Sequence, residues 1–174
     1  TNWNDDAIAT QNPDATLPDL AISPVHRSDP SGTSETFTSY LNAVAPEGWP
    51  HEPSDEWPID AGESAQGTSG LVSAVTAGAG TIGYADASQA GDLGTVAVKV
   101  GESFVPYSSE AAAQLVDASP LEEGRTDGDL VFAVDPTTAP EGSYPIALVS
   151  YLIACAQYED ANTAEIVKSY FSFV

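Results

Sequence analysis

Basic residues are nearly missing from this chain. Four Lys and Arg stand against 26 Asp and Glu, a formal charge of −22. So few cations cannot neutralise nucleic-acid phosphates or anionic lipid headgroups, so neither is an expected partner. Cysteine is scarce too: Cys155 alone excludes an intramolecular disulfide and a cysteine zinc cluster. It lies in the apolar stretch Ala147–Ala156 and reads as a small buried core residue. No apolar run approaches the roughly 18 residues a membrane helix needs, so no direct membrane insertion by this segment is expected. The first residues, Thr1-Asn2-Trp3, are neither a start methionine nor a signal peptide, and we expect the chain to begin inside a longer precursor or to be trimmed. The acids are scattered, without the Asp-x-Asp-x-Asp-Gly pattern of a calcium loop, and act first as a solvated, self-repelling surface.

Apolar residues make up 42% of the 174 residues, enough for one domain with a real core. A short helix is expected between Trp3 and Gln11, ahead of Asn12-Pro13. Leu20–Val25 alternates like a strand, although Pro24 suits only an edge or a bulge. After the polar loop His26–Thr33, Phe37, Tyr40, Leu41 and Val44 recur at helical spacing until Pro46. Residues 46–70 read as an irregular excursion around Trp49 and Trp57, overlapping at its end a helix over Ser69–Ala77. A short strand around Ile82 and Tyr84, a strand at Thr95–Val100 and a helix at Ser109–Ala118 follow, the last capped by Ser108 or Ser109. The long apolar segment Ile146–Cys155 reads as a strand. Asn162 is expected to cap a final helix that buries Ile166, Val167, Tyr170 and Phe171. Alternating helices and strands point to an α/β fold, and no internal repeat is present.

The chemistry concentrates in His26–Thr33. A helix N-terminus exposes N–H groups that lack intrahelical partners and carries about half a positive charge. Ser31, Gly32 and Thr33 stand there, two with hydroxyl donors and one with no side chain to block an ion, as a tetrahedral-anion site requires. Arg27 reaches the same space with a bidentate fork, and Asp29 is placed to fix its aim. The same residues also make an ordinary capping arrangement, with Arg27 and Asp29 a surface pair worth under about 1 kcal/mol. His26, Asp29 and Ser31 are the residue types of a hydrolase triad, but they crowd into six positions and lack a Gly-x-Ser-x-Gly elbow, so no enzyme is expected. His51, between Pro50 and Glu52, reads as a surface residue. No metal or other cofactor is expected. Trp49, Trp57 and Tyr84 read as packing aromatics rather than a sugar platform.

His26-Arg27-Ser28-Asp29-Pro30-Ser31-Gly32-Thr33-Ser34, followed by Phe37-Thr38-Ser39-Tyr40-Leu41, resembles the phosphate-binding receptors of ABC transporters, the PstS family. Their loop reads Arg-x-Asp-Gly-Ser-Gly-Thr and leads into Phe-Thr-x-Tyr-Leu. Trp3–Ile8 with Asn12-Pro13 and Leu17-Pro18, then Trp57-Pro58, Gly67–Leu71, Gly80–Tyr84 and Tyr144-Pro145-Ile146, are similar to further segments in the family's order.

The resemblance implies a periplasmic-binding-protein-like lobe of type II, with a mixed sheet flanked by helices. Residues 1–145 would be the second lobe, incomplete at its start, and 146–174 a crossover strand and helix belonging to the first. It implies inorganic phosphate as ligand, held by Arg27, Ser31, Gly32 and Thr33, with Asp29 orienting the arginine. It implies the membrane permease of a phosphate ABC transporter as partner, and an extracytoplasmic location, in the periplasm or on the cell surface through a lipid anchor ahead of this segment. Pro30 replaces the family's glycine and removes one N–H, which the first turn of a helix tolerates. The first lobe, which supplies the remaining donors, is expected ahead of Trp3, so the half-site should bind weakly. The rival reading is a module that keeps the fold and has lost the ligand.

Overall fold

The computed structural model describes all 174 residues. A short helix α1, Asp6–Ala9, precedes strand β1, Ser23–Arg27. Helix α2, Gly32–Val44, leads through an irregular stretch to strand β2, Glu63–Ala65, helix α3, Gly67–Ala77, and strand β3, Thr81–Gly83. Strands β4, Val98–Val100, and β5, Ser103–Val105, form a hairpin ahead of helix α4, Ser109–Ala118. Helix α5, Ala161–Phe173, ends the chain.

The α/β class holds, with the parallel and antiparallel pairings in separate sheets. β1 lies between β2 and β3, parallel to both, while β4 and β5 pair antiparallel. Pro24 is thus in a central strand, against the expectation of an edge or bulge. Its carbonyl faces Gly62, on the β2 side, where the ladder begins only at Val25 opposite Glu63. The N–H that proline lacks falls on that unpaired stretch, so no ladder bond is lost.

α3 packs across the three parallel strands, and its Leu71, 1% exposed, lies against Gly83. A Cβ on Gly83 would stand 2.8 Å from the Leu71 side chain, so the close helix-to-sheet approach depends on that glycine. A second small core joins Val100, Val105 and Ala111 to Ala139 and Tyr144. Only 11 of 174 residues are buried, so much apolar surface is left uncovered.

Most of that surface lies at the end of the chain, where four expectations fail. Ile146–Cys155 forms no strand: no other strand pairs with it, and Ile153 is 93% exposed. Cys155 is exposed rather than buried. On α5 no residue is buried, with Ile166, Tyr170 and Phe171 exposed and Val167 half-buried. The cap of α5 is Asp160, whose carboxylate accepts from the Thr163 N–H at 2.7 Å, and not Asn162.

α2 keeps its apolar spacing, yet its fully buried positions are Ser34 and Thr38. Thr38 Oγ1 accepts from the Ser54 N–H at 2.9 Å. Its own proton faces the carbonyls of Ser34 and Ser54, at 2.9 and 3.0 Å. The Ser31 N–H donates to the Asp55 carbonyl, and Asn42 Nδ2 donates to the His51 carbonyl. Three polar contacts along one helix face therefore fasten the excursion before β2, and with it Trp49 and Trp57.

Candidate functional site

In a parallel sheet, polar loops and helix N-termini gather at the carboxyl ends of the strands. Here the loops leaving all three strands meet. Arg27 is the last residue of β1, Gly67 and Thr68 open the helix after β2, and Tyr84 follows β3.

Arg27 folds back into this junction and its side chain is 12% exposed. Its Nε donates to Asp29 Oδ1 at 2.9 Å and its Nη2 to Asp29 Oδ2, a fork-on-fork pair. Nη1 leans toward Thr68 Oγ1 at 3.4 Å, and the remaining guanidinium N–H groups have no partner in the chain. Asp29 Oδ1 also accepts from the Gly67 N–H at 2.9 Å, so the carboxylate caps α3 from a different loop. Hydrogen bonding to Arg27, then the Gly67 amide, holds the Asp29 carboxyl well below the ordinary carboxylate range. Hydrogen bonding to Asp29 in turn raises the guanidinium above its usual value, so Arg27 is always charged. Gly67 takes φ +67°, a left-handed conformation that aims its N–H at Asp29.

Ser31 is the N-cap of α2. Its hydroxyl oxygen accepts from the Thr33 N–H at 3.2 Å, and its own N–H is taken by Asp55. The Gly32 and Ser34 N–H groups are left as first-turn donors with no intrahelical acceptor. Gly32 is exposed, with ordinary φ, and a Cβ added there would meet only Leu148, at 3.8 Å. Its lack of a side chain therefore opens space rather than permitting an unusual backbone.

No hydrogen bond joins Arg27 to Ser31, Gly32 or Thr33. The link is indirect: the Tyr84 hydroxyl accepts from the Arg27 N–H at 3.1 Å and shares a proton with Ser34 Oγ at 2.7 Å. The Tyr84 ring stacks on Phe37 and Trp57, with centroids 4.7 and 5.7 Å away. Trp57 also stacks on His26 and packs against Trp49. His26 Nδ1 donates to the Arg27 carbonyl at 2.9 Å. Trp49, Trp57 and Tyr84 thus pack as a column of aromatics, as the sequence suggested.

A cleft of about 520 Å³ opens beside Arg27, walled by His26, Asp29, Glu56, Trp57 and Asp60, among others. Ser31, Gly32 and Thr33 do not line it. Two carboxylates besides Asp29 face this space and Arg27 is its only arginine or lysine. Ser34, Gly67, Thr68 and Tyr84 were not singled out as site residues from the sequence. Their places follow from the strand order, which carries no local signature.

The family model described as a PBP superfamily domain matches residues 1–174. The chain belongs to the PBP superfamily. Within it, the chain is 31% identical to phosphate-binding protein PstS 3 of Mycobacterium tuberculosis, over 98% of this chain and 47% of that protein. It is 29% identical to phosphate-binding protein PstS of Xylella fastidiosa, over 99% of this chain and 48% of that protein. The resemblance carried by the loop motif is thus matched by whole-chain similarity to proteins bearing that family name. The chain spans about half the length of these curated relatives. A solved high-affinity periplasmic phosphate-binding protein, bound with phosphate, superposes with a TM-score of 0.65 at 22% identity, over 92% of this chain and 51% of that one. That likeness supports the superfamily fold.

Proposed function

We propose that this chain is the phosphate-binding portion of an extracytoplasmic solute-binding protein that serves ABC-transporter uptake, and that it is not an enzyme. The observation that carries the reading is Arg27, held by Asp29 where the carboxyl ends of three parallel strands meet the N-termini of α2 and α3. In this proposal the free guanidinium N–H groups and the amide of the exposed Gly32 donate to phosphate oxygens. The Ser31 and Thr33 hydroxyls add donors, Gly32 leaves room for the ion, and Asp29 aims Arg27. Support comes from relatives named for phosphate binding, none of those described above bearing an enzyme's name.

Residues 1–145 would form one lobe and 146–174 the return into the other. The uncovered apolar face of α5 and the exposed Leu148, Leu152 and Ile153 suit a segment that packs against further polypeptide. The transporter's permease would be the partner of the whole receptor, at the periplasm or the cell surface.

Calorimetric titration of phosphate, with sulfate in parallel, tests the reading. Saturable phosphate binding that Arg27→Ala abolishes is the expected result; unchanged affinity in that variant would sink the site. A second reading, the same fold with the ligand lost, draws on the acidic wall of the cleft, Glu56 and Asp60, and on Pro30. It predicts no phosphate binding even at millimolar concentration.

A further inference from the structure

The two groups of donors in the proposed site belong to different elements and share no direct bond, yet the backbone of Arg27 and the first turn of α2 are tied to one atom. The Tyr84 hydroxyl oxygen accepts from the Arg27 N–H and is 2.7 Å from Ser34 Oγ in the first turn of α2. Because the Arg27 amide can only donate, the phenol oxygen must accept there, and a single proton lies between it and Ser34 Oγ. Ser34 is 0% exposed, so no water substitutes on that side. The ring cannot swing away, since Phe37 and Trp57 stack on it.

We infer that Tyr84 is a positioning residue for anion binding: its hydroxyl sets the spacing between the Arg27 guanidinium and the N–H groups of the α2 first turn. This rests on the phosphate reading for its function and on the geometry alone for its structural part. The hydroxyl touches no ligand in this role. It holds β1 and α2 in one register, so that an anion meets both donor groups without reorganisation.

Tyr84→Phe removes one oxygen and keeps the stacked ring. Measured well below the unfolding temperature, phosphate affinity of the full chain should fall by about tenfold, the effect of losing a buried hydrogen-bonded tie. Ser34→Ala should give a similar loss, and the double variant little more than either single one. Val105→Ala, which thins the separate small core of Val100, Val105 and Ala111, should lower the unfolding temperature and leave the affinity unmoved. That contrast separates positioning from general loosening.

Backbone amide exchange, measured by NMR without phosphate, gives a readout independent of binding. In Tyr84→Phe the Arg27 amide should lose protection, and the Gly32 and Ser34 amide resonances should shift with it. Unmoved α2 amides, or full phosphate affinity in Tyr84→Phe, would overturn the inference. Absence of phosphate binding in the unaltered chain would instead refute the proposed function, leaving the amides to decide the structural tie.

Discussion

Thr38→Val exchanges a hydroxyl for a methyl at a position with no exposure, and two effects then compete. Hydrophobic accounting favours valine, because the added methyl is buried and the shape is kept. Hydrogen-bond accounting opposes it. The Ser54 N–H loses its acceptor at 2.9 Å, and the Ser54 carbonyl loses a donor at 3.0 Å. The helix carbonyls of Ser34 and Glu35 matter less, since intrahelical donors reach them as well. An unsatisfied buried donor costs about 1–3 kcal/mol, against about 0.8 kcal/mol for one buried carbon group. The hydrogen bonds should therefore win. The net loss is then about 0.2–2 kcal/mol, and for a chain of this size each kcal/mol lowers Tm by about 2–4 °C, so the drop should be at most about 9 °C. Thr38→Ser keeps the hydroxyl, loses only the methyl, and should be the milder change. Calorimetry of the two variants beside the parent chain measures the order. Tryptophan emission should shift to the red in Thr38→Val, because Trp49 and Trp57 ride on the segment that Thr38 fastens. If Thr38→Val proves as stable as Thr38→Ser, the excursion is held by aromatic packing and the hydrogen-bond account is wrong.

Gly67→Ala places a side chain at φ +67°, which costs an L-residue about 1–2 kcal/mol although no atom obstructs the Cβ. Chemical denaturation should show that loss, and Gly94→Ala, at an open site without positive φ, should show none. Asp29 titrates far below an ordinary carboxylate in the folded chain and near 4 when unfolded. Its contribution to stability is therefore complete above about pH 4 and is lost progressively as pH falls below that value. Asp29→Asn should flatten the fall in stability between about pH 4 and pH 2, read from urea midpoints; an unchanged slope would show that other carboxylates set the acid limit.

Local signals were legible where local physics decides. Ser31 before Gly32 and Ser108 before Ser109 are N-caps, and both helices begin where their hydroxyls can accept an amide. The α2 helix stops at Val44 because the residue before Pro46 is driven out of the helical region. β2, Glu63-Ser64-Ala65, lies inside the expected irregular excursion and carries no apolar alternation to mark it as a strand. Ile146–Cys155 misled for the opposite reason. Its apolar run is long enough to read as a strand, but a strand also needs a neighbour, and the sequence does not say whether one exists. The same blindness hid Tyr84 and Thr68 from the site. Arg27 and Asp29 are two residues apart and suggest each other, whereas 57 residues separate Arg27 from the hydroxyl that receives its amide.

Net charge and local chemistry pull in opposite directions in this chain, and the Arg27–Asp29 pair shows how they are reconciled. A lone arginine in a cleft walled by Glu56 and Asp60 would be drawn toward whichever carboxylate came nearest. Asp29 pre-empts this by holding the Nε and Nη2 N–H groups along one edge of the guanidinium and taking the Gly67 amide with its own spare lone pair. The pair is formally neutral, so in the proposed site it would offer an anion directed N–H groups rather than net charge. Attraction would then come from dipoles at short range, where the first turn of α2 contributes, and not from the field of a chain whose net charge is −22. Beyond about 8–10 Å salt screens those distant charges, so a very acidic surface and an anion site are compatible so long as every donor is pre-aimed. In the proposed site that aim falls to the hydroxyls of Tyr84 and Ser34, which carry no charge and tie the Arg27 backbone to the first turn of α2.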